Sequence, residues 1–216
     1  MKITEETITE LFSSKFIRIF DLLKEEGKHY YNATRRTADR LPALKSDEEF
    51  RSMTPDAVTV CLIVKTEDEP ERLLMQREFR YPCGRFILCP PAGLIDPQDY
   101  GKSDAALNAA KREVFEETGI RVKDSDRAEI INPLLFSSPG MTDESNALAC
   151  ITVTLDDLSV LNNSGTEEME MFDGFVLVDA EQAKQLIMNG CDENGLYYST
   201  YTWTCLMWFV SGFWKH

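Results

Sequence analysis

Apolar and polar positions alternate along the chain in several distinct rhythms. Residues 57–64 (AVTVCLIV) are a near-continuous apolar run, which suits a strand buried on both faces. A turn at Glu67-Asp68-Glu69-Pro70 follows, and 73–79 predict the partner strand. Residues 86–88 predict a short strand stopped by Pro90-Pro91, and 130–136, 147–155 and 174–178 predict three more. Nearer the N-terminus, 15–36 predict a strand and hairpin. There Phe16, Ile17, Ile19 and Phe20 surround Arg18, Glu26-Gly27 offers a turn, and Tyr30-Tyr31 resume β-type composition. Residues 4–12 predict a short helix, and the polar stretch 38–55 a connector. Helical patterns occupy 104–118, with Asp104 as N-cap and Gly119 just past the end, and 180–188, ending at Asn189-Gly190. In the last segment Trp203, Leu206, Met207, Val210 and Trp214 recur at helical spacing, with Tyr198, Tyr201, Cys205 and Phe209 opposite. A helix apolar nearly all round must be buried, in the fold or between subunits. Strands followed by single helices predict an α/β sandwich. The pattern divides the chain into an N-terminal extension (1–54), a main domain (55–190) and a C-terminal helix (191–216).

Length and charge sharpen this picture. A chain of 216 residues suits one well-buried domain with appendages. A net charge of −14 argues against a nucleic-acid or anionic-membrane binder, since both need basic surface. It also poses a problem for any phosphate-handling site, which bound cations could solve. Six cysteines (Cys61, Cys83, Cys89, Cys150, Cys191, Cys205) show no C-x-x-C pair. Three disulfides are arithmetically open. The acidic start MKITEETITELF, however, lacks the apolar core of a secretory signal, so reduced thiols in the cytoplasm are expected. Residues 196–214 are interrupted by Ser199, Thr200, Thr202, Thr204 and Ser211 and fall short of a membrane span. His29 and His216 are the only histidines, which leaves no credible Ser-His-Asp or Cys-His nucleophile.

The chemistry concentrates in Arg112-Glu113-Val114-Phe115-Glu116-Glu117-Thr118-Gly119. Glu113 lies three and four residues from Glu116 and Glu117, so these side chains are neighbours on a helix, while Leu107, Val114 and Thr118 form a separate stripe that can face a core. Clustered like charges destabilise a bare helix by a few tenths of a kcal/mol per pair (~0.2–0.5), and the C-terminal macrodipole disfavours anions. A cation would relieve both penalties, and hard oxygen ligands suit Mg²⁺ or Mn²⁺. A solvated acidic face in an already acidic chain is the competing explanation.

The stretch resembles the core of the Nudix box, G-x5-E-x7-R-E-U-x-E-E-x-G-U with U aliphatic. Arg112, Glu113, Val114, Glu116, Glu117, Gly119 and Ile120 all match. Its five fixed charged and glycine positions match by chance on the order of 10⁻⁶ per start site. The pattern places its leading glycine at Gln98 and its first glutamate at Asp104. The obvious glycine is instead Gly93, five positions earlier (93 against 98), which makes 97–102 an enlarged surface loop. Flanking residues are similar to the ADP-ribose pyrophosphatase subfamily: Glu78-Phe79-Arg80-Tyr81-Pro82, where the subfamily has Gln for Glu78, then Pro91-Ala92-Gly93-Leu94-Ile95-Asp96, Tyr31 to Arg36, and Ser138-Pro139-Gly140.

The resemblance implies a Nudix α/β/α sandwich with a mixed sheet. It implies Mg²⁺ (or Mn²⁺) held by the Ala92 carbonyl, Glu113, Glu116 and Glu117, with Glu117 the central catalytic ligand. Glu170, or else Glu168, would orient or deprotonate the attacking water. Arg80 would contact a phosphate or the terminal ribose, Tyr31 would stack on adenine with Arg36 close by, and Gly93 and Glu144 would complete the substrate contacts. Each has a bland rival: Tyr31 as a packing aromatic, Arg80 in a surface ion pair, Glu168 and Glu170 as solvated acids, Glu144 as a loop brace. The implied reaction is ADP-ribose and water giving AMP and ribose 5-phosphate, in a homodimer. Cleavage of another nucleotide sugar and a non-catalytic nucleotide sensor are the alternatives.

Overall fold

The structure is a computed structural model that describes residues 3–22, 27–67, 69–166 and 169–216. The chain forms two compact units, Met1–Asp56 with Leu134–Asn146, and Ala57–Pro133 with Ala147–His216.

In the first unit β1 (Ile8–Ser13), β2 (Arg18–Leu22) and β3 (Tyr31–Thr34) form an antiparallel sheet in that order. The helix expected over 4–12 is corrected here. Only Glu5–Thr7 turn, as a 3₁₀ helix, and Ile8–Ser13 extend against β2. Thr7, Ile8 and Thr9 are β-branched and stiff at χ1, which favours a pleated surface over a helix. The hairpin expected over 15–36 is present as β2 and β3, although its turn at Glu26 lies outside the described residues. Phe20, Leu22 and Leu41 form a small core. The connector 38–55 contains α1 (Asp47–Arg51), opened by a capping box between Ser46 and Glu49. Arg36 is buried and ties the unit together. It pairs with Asp56 at 2.9 Å and Asp143 at 3.6 Å, and donates to the Asp143 carbonyl at 2.9 Å and Ser145 Oγ at 3.2 Å.

The second unit runs β4 (Ala57–Thr66), β5 (Arg72–Arg80), β6 (Arg85–Cys89), β7 (Ala92–Leu94) and α2 (Ala105–Thr118). It continues with β8 (Arg127–Phe136) and β9 (Ser145–Leu155), whose residues 134–136 and 145–146 belong to the first unit, and with β10 (Phe172–Val178), α3 (Ala180–Asn189) and α4 (Thr200–Ser211). The sheet order is β10-β5-β4-β9-β8, with β6 added to β5 and β7 to β4. The alternation along β4 explains its unbroken apolar run. Val58, Val60, Leu62 and Val64 join Ala109, Ala110 and Val114 of α2 in the main core. Between them Cys61 faces α4, its Sγ donating to the Cys205 carbonyl at 3.8 Å. Helices thus cover both faces, giving the α/β sandwich with mixed sheet that the sequence implied. Each fully buried Val or Leu of β4 contributes roughly 1.5–3 kcal/mol. Strand β7 went unforeseen because three residues, Ala92-Gly93-Leu94, are too few to show a period.

On α4, Thr202, Cys205, Leu206 and Phe209 are buried, but Trp203 and Met207 remain 44% and 40% exposed. The fold itself therefore covers only one face of this helix. All six cysteines are free, and among the described residues no helix is long and apolar enough to cross a membrane.

Arg77 of β5 anchors the segment after α3. Its Nη1 donates at 2.8 Å to Asp192, whose side chain is fully buried and also accepts the Asn194 and Leu196 amides at 2.9 Å. Burial pushes the Asp192 carboxyl up, but Arg77 and the two amides outweigh it and hold it below the usual range. A lowered carboxylate stabilises the fold above its unfolded pKa, and that stability is lost as pH falls through the folded value. Asp192→Ala is expected to destabilise by ~3 kcal/mol at pH 7. Urea unfolding checks this, with the gap to wild type shrinking as pH drops below about 4.

Candidate active site

Helix α2 carries the glutamates, and its burial pattern determines where they go. Asp104 occupies the N-cap position without a capping bond, accepting instead from Asn108 Nδ2 at 2.9 Å. Gly119 ends the helix in the left-handed region (φ 76°), its amide donating to the Phe115 carbonyl. Val114 and Thr118 are buried as the pattern requires, while Leu107 is half-buried and Ala110 takes the interior place beside them. A second stripe, Ala105, Ala109, Glu113 and Glu117, is buried as well. It changes from methyl groups to carboxylates along its length, so two acids enter the interior.

Each carboxylate has a particular neighbour. A Cβ at Gly93 would overlap the Glu113 carboxylate, so any larger residue on β7 there would require that side chain to shift. Glu117 Oε2 accepts from Gln76 Nε2 of β5 and from the Ala92 amide at 3.3 Å. Arg112 donates to Glu113 at 2.8 Å, to Glu116 at 2.7 Å and to the Leu94 carbonyl at 2.8 Å. On β5, Glu78 pairs with Arg80 at 2.6 Å. The Phe79 amide donates to the Met171 carbonyl at 2.9 Å, which brings Glu170 to the same cluster.

Electrostatics reflect crowding. Burial lifts Glu113 to about 7 against the pull of Arg112, with Glu116 and Glu170 adding repulsion. Burial also raises Glu117, reinforced by Glu113 and Glu78 and opposed by Gln76. Glu78 rises by burial and by Glu170, against Arg80. Gln76 is fully buried, and its Oε1 has no partner. Crowded carboxylates with an unsatisfied amide oxygen beside them are a donor set that fits a hard divalent cation. Among the described residues, no three acidic, His or Cys side chains are grouped closely enough to hold an ion; Arg112 engages Glu113 and Glu116, and Gln76 and the Ala92 amide engage Glu117.

The structure thus brings together Arg80, Ala92, Gly93, Glu113, Glu116, Glu117 and Glu170. Glu168 lies outside the described residues. Tyr31, Arg36 and Glu144 belong to the first unit. There Tyr31 is 56% exposed and its ring runs parallel to His29, and Glu144 pairs with Arg35 at 3.5 Å. Both Nη atoms of Arg36 are engaged within that unit, so using either for a ligand would require breaking a buried ion pair. Sequence reasoning assigned no role to Gln76 or Glu78. Their only signal was that Gln76 and Glu78 alternate with Arg77, which puts both on one face of β5.

A family model described as NUDIX domain matches residues 53–194, and the chain belongs to that family. Relatives include a putative nudix hydrolase 2 of Caenorhabditis elegans, 37% identical over 39% of this chain and 34% of that protein. The ADP-ribose pyrophosphatase of Saccharomyces cerevisiae is 33% identical over 50% and 42%. The ADP-sugar pyrophosphatase of Mus musculus is 31% identical over 50% and 45%. The chain spans less than half the length of these relatives. A crystal structure of an ADP compounds hydrolase aligns with 100% of this chain and 95% of its own, at TM-score 0.61 and 18% identity, which shows a shared fold.

Glu117→Gln keeps an acceptor for Gln76 and Ala92 while removing a buried charge. The metal-free protein is expected to gain about 1 kcal/mol of stability at pH 8, read by chemical denaturation.

Proposed function

We propose that the chain is a divalent-cation-dependent hydrolase that cleaves the diphosphate of a nucleoside diphosphate derivative, with ADP-ribose giving AMP and ribose 5-phosphate. The observation that carries this reading is the buried Glu113–Glu117 stripe facing Gln76, Ala92 and Glu170. Several carboxylates held close together at an electrostatic cost have an evident use if cations bind them. Support for the substrate class comes from the pyrophosphatase relatives, 33% and 31% identical over half of this chain.

In this reading Glu113, Glu116, Glu117 and the Ala92 carbonyl hold Mg²⁺, or Mn²⁺, which when bound supplies positive charge to the diphosphate. Arg80, oriented by Glu78, presents its guanidinium to a phosphate or to the terminal ribose. Glu170, or else Glu168, accepts through a carboxylate oxygen the proton of the water that attacks phosphorus. The bond from that phosphorus to the bridging oxygen breaks, and the two monophosphates leave. Gly93 admits both the Glu113 carboxylate and the substrate beside it. Tyr31 offers an exposed ring for the base. Arg36 and Glu144 brace the strand and loop of the first unit. A homodimer belongs to the same proposal, supported by the exposed Leu11, Phe12 and Phe16 and by Trp203 and Met207 on α4. So does a cytoplasmic setting, which suits free cysteines.

Incubation with ADP-ribose and Mg²⁺ is expected to yield AMP, detected by ion-exchange chromatography, and chelation to abolish it. Glu117→Gln is expected to lower turnover by ~10²–10³-fold, the loss of several kcal/mol of transition-state stabilisation. Tight binding without AMP would favour a sensor. Far faster cleavage of an ADP-sugar would replace the substrate and keep the chemistry.

A further inference from the structure

Strand β5 carries a buried amide whose two ends fare unequally. Gln76 Nε2 donates to Glu117 Oε2, the same oxygen that accepts the Ala92 amide at 3.3 Å. An ionised carboxylate only accepts, so the end of the amide that meets it is the nitrogen and the carbonyl oxygen is left over. That oxygen is buried and has no hydrogen-bond partner. Every other side chain with such an atom among the described residues, Arg72, Asp143, Thr152 and Trp208, is partly exposed, whereas Gln76 is 0% exposed. The great majority of buried polar side-chain atoms have a partner, so an orphan this deep calls for a cause. Its surroundings hold it in place. Gln76 lies opposite Cys89 of β6 on one side and Phe175 of β10 on the other, and its side chain shares their face of the sheet.

Packing of β5 does not call for an amide here. Leu73, Leu74 and Met75 just before it are wholly buried, and an apolar residue at 76 would continue that row without stranding an oxygen. Holding Glu117 accounts for the nitrogen and leaves the oxygen unexplained. We infer that Gln76 is a positioning residue of the cation site: its nitrogen holds one oxygen of Glu117 and leaves the other for the cation, and its own carbonyl oxygen is satisfied by the cation or by the water the cation carries. This rests on the reading above, in which Glu113, Glu116 and Glu117 hold Mg²⁺. The chemistry suits that ion, which takes oxygen ligands and keeps several waters, each of them a hydrogen-bond donor. A neutral amide serves both ends at once. Its oxygen adds no charge to crowded carboxylates, and its nitrogen, unlike an arginine, leaves the charge of Glu117 unpaired for the cation.

Mg²⁺ is titrated into the full chain without substrate, its affinity read by calorimetry for wild type and Gln76→Met, and the side-chain amide of Gln76 followed by NMR in wild type. The Gln76 Cδ and Nε2 resonances are expected to move with the midpoint of calorimetric binding. Gln76→Met, which keeps length and burial but offers no amide, is expected to bind Mg²⁺ roughly ten- to a hundred-fold more weakly, the scale for a group that supports metal ligands. Its circular dichroism stays that of wild type. Turnover of ADP-ribose by this variant is expected to fall at low Mg²⁺ and to recover as Mg²⁺ saturates, which a merely structural loss would not do. Equal Mg²⁺ affinity in Gln76→Met would overturn the inference, as would a Gln76 amide that stays unmoved while wild type binds Mg²⁺. Should Gln76→Met fail to fold, the wild-type resonances decide alone. Wild type that binds no Mg²⁺ would overturn the proposed function and the role of Gln76 together, whereas binding to which Gln76 is indifferent overturns only the latter.

Discussion

Carboxylates enter a protein interior only when something compensates their lost hydration, a penalty of several kcal/mol per ion even after relaxation. Helix α2 brings two of them in. Glu113 is met by Arg112 and Glu117 by Gln76 and the Ala92 amide, and neither is fully neutralised, since both remain raised above the ordinary glutamate range. Much of the surrounding structure follows from that constraint. Gly93 leaves the space that the Glu113 carboxylate fills, and Gln76 sits inside the sheet as a donor to Glu117.

Such precision needs a rigid support, and β4 provides it. The strand is buried on both faces, carrying α2 on one side and α4 on the other, and its first residues pair with β7 to place Ala92 and Gly93. Close-packed interiors move little. A lever arm rooted in Val58, Val60 and Leu62 therefore holds the Glu113 carboxylate over Gly93 without help from flexible loops.

Most of the second unit could be read in the sequence because its signals were long or chemically unusual. The run AVTVCLIV and the glutamate helix with its terminal glycine each fill enough residues for periodicity to show. What escaped was short or depended on tertiary partners. Residues 4–12 looked helical until pairing with β2 decided the matter, and β7 has three residues. Asn163 contacts a carbonyl 46 positions away in sequence, which no local pattern reveals. Of the candidate site, the neighbouring placement of Glu113, Glu116 and Glu117 was legible because they share one helix. Gln76 and Glu78 took shape only when the pleat of β5 turned them inward, and the buried pairing of Arg36 with Asp56 and Asp143 lay beyond any spacing rule.

The pleat of β5 has one more consequence. Gln76, Glu78 and Arg80 alternate with Arg77, which reaches the other way to Asp192. The strand is paired with β4, β6 and β10, so its frame is fixed from several sides. A slip of one residue would send every one of these side chains to the opposite face at once. Such a slip would act on the site like a shifted reading frame, erasing its polar wall while leaving each residue in the chain.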